Sequence, residues 1–266
     1  MTSAISIDHK SKGRSVHFSK LLVESNRLVG VVRRNGKKYV KVRTQKLADS
    51  VTSLEIQSRI YDGPIVPLQN LKDVRFMRDN VILINGAFMA SKNLESIKLP
   101  KNALFCAATF AYCYSLKSAN IPQRMDIIPM SAFCENVNLR TLEIEGNISI
   151  MEDYCLSGCW NLDFQIPNTV QVIGNQAMVG LANQKLTIPQ SCTTVGSMAF
   201  KNMKNLRHVI IENPKTEIPS DAFLACDNIE TVQIANKKYA VKHHNHCSYI
   251  VMSDPERVHG INVIRV

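Results

Sequence analysis

Apolar positions in this chain recur at a step of 22 or 23 residues, far longer than the period of one helix or strand. One bulky column runs Phe88, Phe110, Phe133, Leu156, Met178, Phe200, Phe223, each preceded by a small residue: Ala87, Thr109, Ala132, Cys155, Ala177, Ala199, Ala222. Five residues ahead of it runs Leu83, Phe105, Ile128, Met151, Ile173, Val195, Ile218. Six residues behind it runs Leu94, Leu116, Leu139, Leu162, Gln184, Leu206, Ile229, broken only at Gln184. Each unit closes on an alternating pair, from Val74/Phe76 and Ile97/Leu99 to Val209/Ile211 and Val232/Ile234, which predicts a short strand with one buried face. Pro100, Pro122, Pro167 and Pro189 follow such pairs; proline has no N–H for a ladder and marks the strand's end. The Ala-Phe segments predict helices of one or two turns.

A unit of this length cannot bury its apolar face alone, whereas stacked units share one core and align their strands in parallel. The reading is therefore an α/β repeat, a leucine-rich-repeat solenoid of about seven or eight units with parallel strands on a concave face. The segments Leu94–Pro100 and Val195–Leu206 resemble the BspA-type leucine-rich repeats, whose pattern is roughly I-G-x-x-A-F-x-x-C-x-x-L-x-x-I-x-I-P. The resemblance spans about residues 65–235. It departs at the cysteine position, which holds Cys113, Cys159 and Cys226 but also Ser91, Asn136, Leu181 and Met203. The resemblance implies a curved right-handed solenoid used in adhesion and protein recognition, known from bacterial surfaces, protists and some viruses.

A solenoid exposes apolar ends that need covering. Val29–Val42 predicts a hairpin turning at Asn35-Gly36, with a further strand within Val16–Val23. Ser248–Met252 and Ile261–Val266 predict strands at the other end. The expected organisation is a loose tail over 1–14, a basic β-rich cap over 15–60, the solenoid over 61–236 and a β cap over 237–266.

Charge is uneven. Of the net +10, residues 10–46 carry +11 and the remainder −1. The basic patch centres on Arg33, Arg34, Lys37, Lys38, Lys41 and Arg43, suited either to solvation, which keeps an edge strand from aggregating, or to an acidic partner or nucleic acid. Phe18 and Tyr39 are its only aromatics, few for base stacking.

Side chains between the buried strand residues point outward and supply the candidate binding face: Arg75, Lys98, Asn120, Glu143, Gln165, Thr187, Ile210 and Gln233. A second column holds Asp73, Ser96, Ser118, Thr141, Asp163, Lys185, His208 and Thr231. His243, His244, His246 and Cys247 are weak metal-ligand candidates, because they lie in an expected turn without a second ligand pair. Eight cysteines without a secretory leader read as free thiols, those in the repeat column as packing residues, with Cys106, Cys134 and Cys192 nearer the surface. Trp160 either covers the neighbouring unit or stands out as a binding anchor. No phosphate loop, nucleophile elbow or zinc-protease helix is present. The expectation is a non-enzymatic protein-interaction scaffold or adhesin-like module without cofactor, cytoplasmic or assembly-associated, with another protein as partner. The second reading is an electrostatic nucleic-acid binder acting through the basic cap.

Overall fold

The computed structural model describes residues 48–49, 51–56, 59–61, 63, 67–84 and 86–241, and the backbone of 20–24, 27–29, 32–33, 36–37, 242–244 and 247–250. The chain winds into a β-solenoid of about eight coils. One face carries four-residue strands: β5 (Ser53–Ile56), β7 (Asp73–Phe76), β10 (Ser118–Ile121), β12 (Thr141–Ile144), β15 (Lys185–Ile188), β17 (His208–Ile211) and β18 (Thr231–Ile234). A second face carries two-residue strands: β6 (Ile60–Tyr61), β8 (Ile82–Leu83), β9 (Leu104–Phe105), β11 (Ile127–Ile128), β13 (Ile150–Met151), β14 (Val172–Ile173) and β16 (Thr194–Val195). Pairing within both faces is parallel, each residue opposite its counterpart one repeat away, as Ala119 opposite Leu142 and Met151 opposite Ile173. At the start, β1 (Lys20–Glu24) runs parallel to β5 and pairs antiparallel with β2 (Arg27–Val29). The parallel stack thus reaches upstream of residue 61. β3 (Val32–Arg33) pairs with β4 (Gly36–Lys37). Because Gly36 stands opposite Arg33, it belongs to the ladder and not to the turn that Asn35-Gly36 suggested. At the other end, β19 (Lys237–His244) runs antiparallel to β18 and to β20 (Cys247–Ile250).

The expected short helices are absent from the described residues, and the Ala-Phe segments form successive turns instead. The reason lies in where the amide protons go. The N–H groups of Phe88, Phe110, Phe133, Leu156, Met178 and Phe200 donate to carbonyls of the next coil, those of Thr109, Ala132, Cys155, Ala177, Ala199 and Ala222, at 2.8–2.9 Å. A helix needs those protons for its own preceding turn. Residues two before and two after the bulky position take positive φ, as at Ala108 (54°) and Tyr112 (62°) around Phe110 or Ser131 (56°) and Glu135 (60°) around Phe133. A left-handed residue every fourth position cannot belong to a right-handed helix. The turn face is thus a third set of rungs bonding coil to coil.

The core is one continuous file. Phe88 stacks on Phe110 at 5.6 Å and Phe110 on Phe133 at 5.3 Å, with Phe105 packing edge-on against both Phe110 and Phe133; Phe200 stacks on Phe223 at 4.9 Å. The column broken by Gln184 closes at Asn183, which is fully buried while Gln184 is exposed. Outside the core, Asn138, Asn161, Asn205 and Asn228, each just before its core residue, donate to carbonyls of the preceding coil at Tyr114, Val137, Ala182 and Lys204. This asparagine ladder supplies donors at a corner where no strand exists to provide them.

Candidate binding face and its seams

The four-residue strands, and the extended segments around Lys98 and Gln165 that stand in the same columns without forming strands, place most of the outward residues as alternation demands. Arg75, Lys98, Glu143, Gln165 and His208 are exposed, while Thr187 and Gln233 are half-buried, as is Ile210. Asn120 is a correction. It is fully buried, because its amide turns back into the sheet: Oδ1 accepts from the Leu99 N–H at 2.7 Å and Nδ2 donates to the Leu99 carbonyl at 3.1 Å. An asparagine can imitate a peptide group in this way, and a backbone pair left without partners in a dry site is costly. Asn183 does the same for Phe164, at 3.2 Å to its N–H and 2.9 Å to its carbonyl.

Both asparagines stand where the sheet is broken, and proline breaks it. In a paired seam, the residue just past a strand donates its N–H to the last carbonyl of the preceding strand. Met77 donates to Ile56, Glu145 to Ile121, Glu212 to Ile188 and Ala235 to Ile211. At the other four seams that residue is Pro100, Pro122, Pro167 or Pro189, which has no proton to give. All four proline seams lack a ladder; the seam at Pro122 keeps one isolated bridge, Ser96 to Ser118. Asn120 closes the Pro122 seam and Asn183 the Pro189 seam. The proline that sequence reading takes as a strand end is also a lateral cut through the sheet.

Charged groups on this face interact across coils. Lys98 reaches over the intervening coil to Glu143 at 2.7 Å and Glu145 at 2.6 Å, and these hydrogen bonds hold its ammonium above the usual lysine range. His208 Nδ1 lies 3.0 Å from the Thr231 hydroxyl. Arg75 makes no ion pair among the described residues. The Pro100 seam opens into a cleft of about 530 Å³ lined by residues 73–76 and 98–100. Elsewhere, Trp160 is both cover and exposed surface: a Cβ on Gly180 would come 2.1 Å from its ring, yet 42% of the residue is exposed.

The cysteine column is packing, as expected. Cys113, Cys159 and Cys226 donate their thiols to the carbonyls of Phe88, Phe133 and Phe200 in the preceding coil at 3.0–3.2 Å. Asn136 occupies the same column fully buried, with neither amide atom hydrogen-bonded. Cys192 is buried rather than near the surface, its carbonyl accepting from Thr216 and Asn213, whereas Cys106 and Cys134 are half-buried. Burial pushes the Cys113 and Cys226 thiols up to about 12 and Cys192 and Cys134 up to about 11, the last helped by Glu135; burial raises Cys155 and Cys159 as well. A thiol raised in the folded state is a proton the unfolded chain gives up first. The associated stability is complete below about pH 8.5, the unfolded thiol's pKa, and drains away as pH climbs toward the folded values. The thermal midpoint is therefore expected to fall steadily from pH 8.5 to 10.5, and iodoacetamide at pH 8 to spare Cys113, Cys155, Cys159, Cys192 and Cys226 until denaturant is added. Alkylation of those five in the native protein, read by mass spectrometry, would contradict their place in the core.

Among the residues searched, no three His, Cys, Asp or Glu groups are placed to hold a metal ion. His243, His244 and Cys247 lie in β19 and β20 rather than in a turn, His243 opposite Ser248 and His244 opposite Cys247. Their side chains, and His246 altogether, lie outside the described residues. The same holds for Arg34, Lys38, Lys41 and Arg43, and for the side chains of Arg33 and Lys37. The strand expected over Ile261–Val266 also lies outside. No described helix is long and apolar enough to cross a membrane.

Stacked parallel coils with a repeating apolar file and an asparagine corner define a leucine-rich-repeat solenoid. The chain belongs to the BspA-type leucine-rich repeat family, whose model matches residues 67–177 and 128–250 with six copies. Its fold is similar to that of a leucine-rich repeat protein from Bacteroides ovatus, at 19% identity over 88% of this chain and 70% of that one, with a TM-score of 0.61. More distant likenesses are a leucine-rich cell surface protein from Faecalibacterium prausnitzii (14% identity, 84% and 89% covered, TM-score 0.41) and the pneumococcal vaccine antigen PcpA (16%, 71% and 61%, 0.44). Comparison with curated proteins gives no significant match.

Proposed function

We propose that this protein is a non-catalytic scaffold that recognises another protein through the face of its four-residue strands. Supporting this is the alternation itself: buried residues lock each rung into the core, so Glu143, Thr187, His208 and Gln233 stand on a rigid base at strand spacing, with Gln165 in the same column between them. A side chain held by its backbone loses less entropy on binding than one on a loop. Family membership points the same way, since solenoids of this type present repeated surfaces to macromolecules. In this reading β1–β4, within 15–60, and β19–β20, within 237–266, cover the two ends of the stack, and the +11 segment over 10–46 steers an acidic partner toward it.

The test is co-purification from the native source with the wild-type chain and with a variant carrying Gln165→Arg, Thr187→Arg and Gln233→Arg. None of the three belongs to the apolar core, so the thermal midpoint should move by no more than about 2–4 °C. The proteins retained by wild type should be lost by the variant. Unchanged retention on a folded variant would remove this face from the function.

A further inference from the structure

We infer that the cleft at the Pro100 seam binds an extended, acidic peptide segment of a partner protein. This rests on the protein-recognition reading and narrows it to one place and one chemistry.

The argument begins with the direction of the backbone. In a parallel pair, alternate residues of a strand serve alternate neighbours. The N–H groups of Asp73 and Met77 donate to Thr52 and Ile56, so the odd residues of β7 face β5. Val74 and Phe76 therefore turn their N–H and C=O groups toward the following coil. No backbone bond joins that coil to them over residues 73–76 among the described residues. Pro100 stands where the donor to the Phe76 carbonyl belongs. The Leu99 N–H, which a continuous sheet would keep in its ladder, is occupied by Asn120. The seams at Pro122 and Pro189 are closed by Asn120 and Asn183, whereas no side-chain amide closes this one.

What remains is a sheet edge with a cleft along it. Unpaired amide and carbonyl groups spaced at two residues fit another extended backbone, the basis of recognition by strand addition. Val74 and Phe76, both half-buried, offer apolar wall to alternate side chains of such a segment. Charge sets its sign. Lys98 is already held by Glu143 and Glu145, while Arg75 projects beside the cleft with no ion pair among the described residues. The cleft's own charges are Asp73, Arg75 and Lys98, and with Lys98 neutralised by Glu143 and Glu145 the Arg75 guanidinium is the lining cation without an ion pair among the described residues, so it favours a carboxylate opposite it. The Pro167 seam offers the opposite field, flanked by Glu143 and Asp163.

Fluorescence anisotropy of the full chain with a labelled heptapeptide of alternating Val and Glu, against its Val and Lys counterpart, tests this. The acidic peptide should bind at least about tenfold more tightly. Arg75→Ala should weaken it by a similar factor. Pro100→Ala, which restores a donor for the Phe76 carbonyl and lets the seam close, should weaken it as well. Lys215→Ala, at an exposed turn between β17 and β18 and outside the binding face, should leave it unchanged. Equal binding of the two peptides, preference for the lysine peptide, or indifference to both Arg75→Ala and Pro100→Ala would overturn the proposal. So would concentration-dependent dimerisation abolished by Arg75→Ala, which would give the seam to a second copy of the chain. If the peptide result fails while the Gln165/Thr187/Gln233 variant still loses its co-purifying protein, only the seam assignment falls.

Discussion

Phe133→Ala is expected to destabilise the protein by about 3–5 kcal/mol, toward the upper end of that range. Phe133 has no exposed surface, stacks on Phe110 at 5.3 Å and receives the edge of Phe105 at 5.9 Å. The cost of such a truncation depends on how far neighbours can collapse into the space. Here they cannot move far. The Phe133 N–H is tied to the Cys155 carbonyl, the Phe110 N–H to the Ala132 carbonyl, and the two-residue strands on the second face fix the same coils again. The void therefore persists, and its lining loses dispersion contacts outright. Met178→Leu, at the same column but nearly conserving volume, should cost less than about 1.5 kcal/mol. Urea denaturation followed by circular dichroism measures both. Because the core packing and backbone bonds of each coil run to its neighbours, Phe133→Ala should also broaden the transition as the two halves of the stack come apart. A loss below 1 kcal/mol in the phenylalanine variant would mean that the coils are not held at fixed spacing.

Asn120→Ala should cost about 2–4 kcal/mol, a large figure for one polar side chain. It strips the Leu99 N–H and C=O of their partners at once in a site that is almost completely buried. Pro122 can replace neither. The double variant Asn120→Ala/Pro122→Ala restores one donor aimed at the Leu99 carbonyl, and should recover part of the loss even though neither single change stabilises. Asn120→Asp keeps the acceptor for the Leu99 N–H but gives up the donor and places a carboxylate beside Glu145, so it should be worse at pH 7 than at pH 4. If the double variant is no more stable than Asn120→Ala, the proline is not the cause of the seam.

The repeat, its register and the apolar file were legible in the sequence because they are set by burial, and burial leaves a periodic trace. The turns were not. An apolar residue beside alanine within a 22-residue unit fits a helical turn and a left-handed turn equally well. What separates them is whether the Phe110 N–H bonds within its own segment or to Ala132 in the next coil. Nor could alternation reveal that Asn120 folds back: position assigned it outward, and the vacated hydrogen bond that draws it inward belongs to Leu99, 21 residues away. Asn183 shows the same limit. A constant step puts Gln184 in the core column, whereas the coil shortens by one residue to place an amide opposite Phe164. Pro122 and Pro189 follow β10 and β15 as strand ends, whereas no strand precedes Pro100 or Pro167, and the sideways effect of all four appears only when the neighbour they fail to serve is known.

The four prolines also make the wall of this solenoid modular. Each coil interface is either welded or left ajar by the identity of a single residue, and Asn120 and Asn183 act as removable latches. A substitution at one such place redraws the local relief without disturbing the phenylalanine file beneath it. A lineage built on this plan can therefore open or shut individual slots along its length, one codon at a time, without rebuilding its interior.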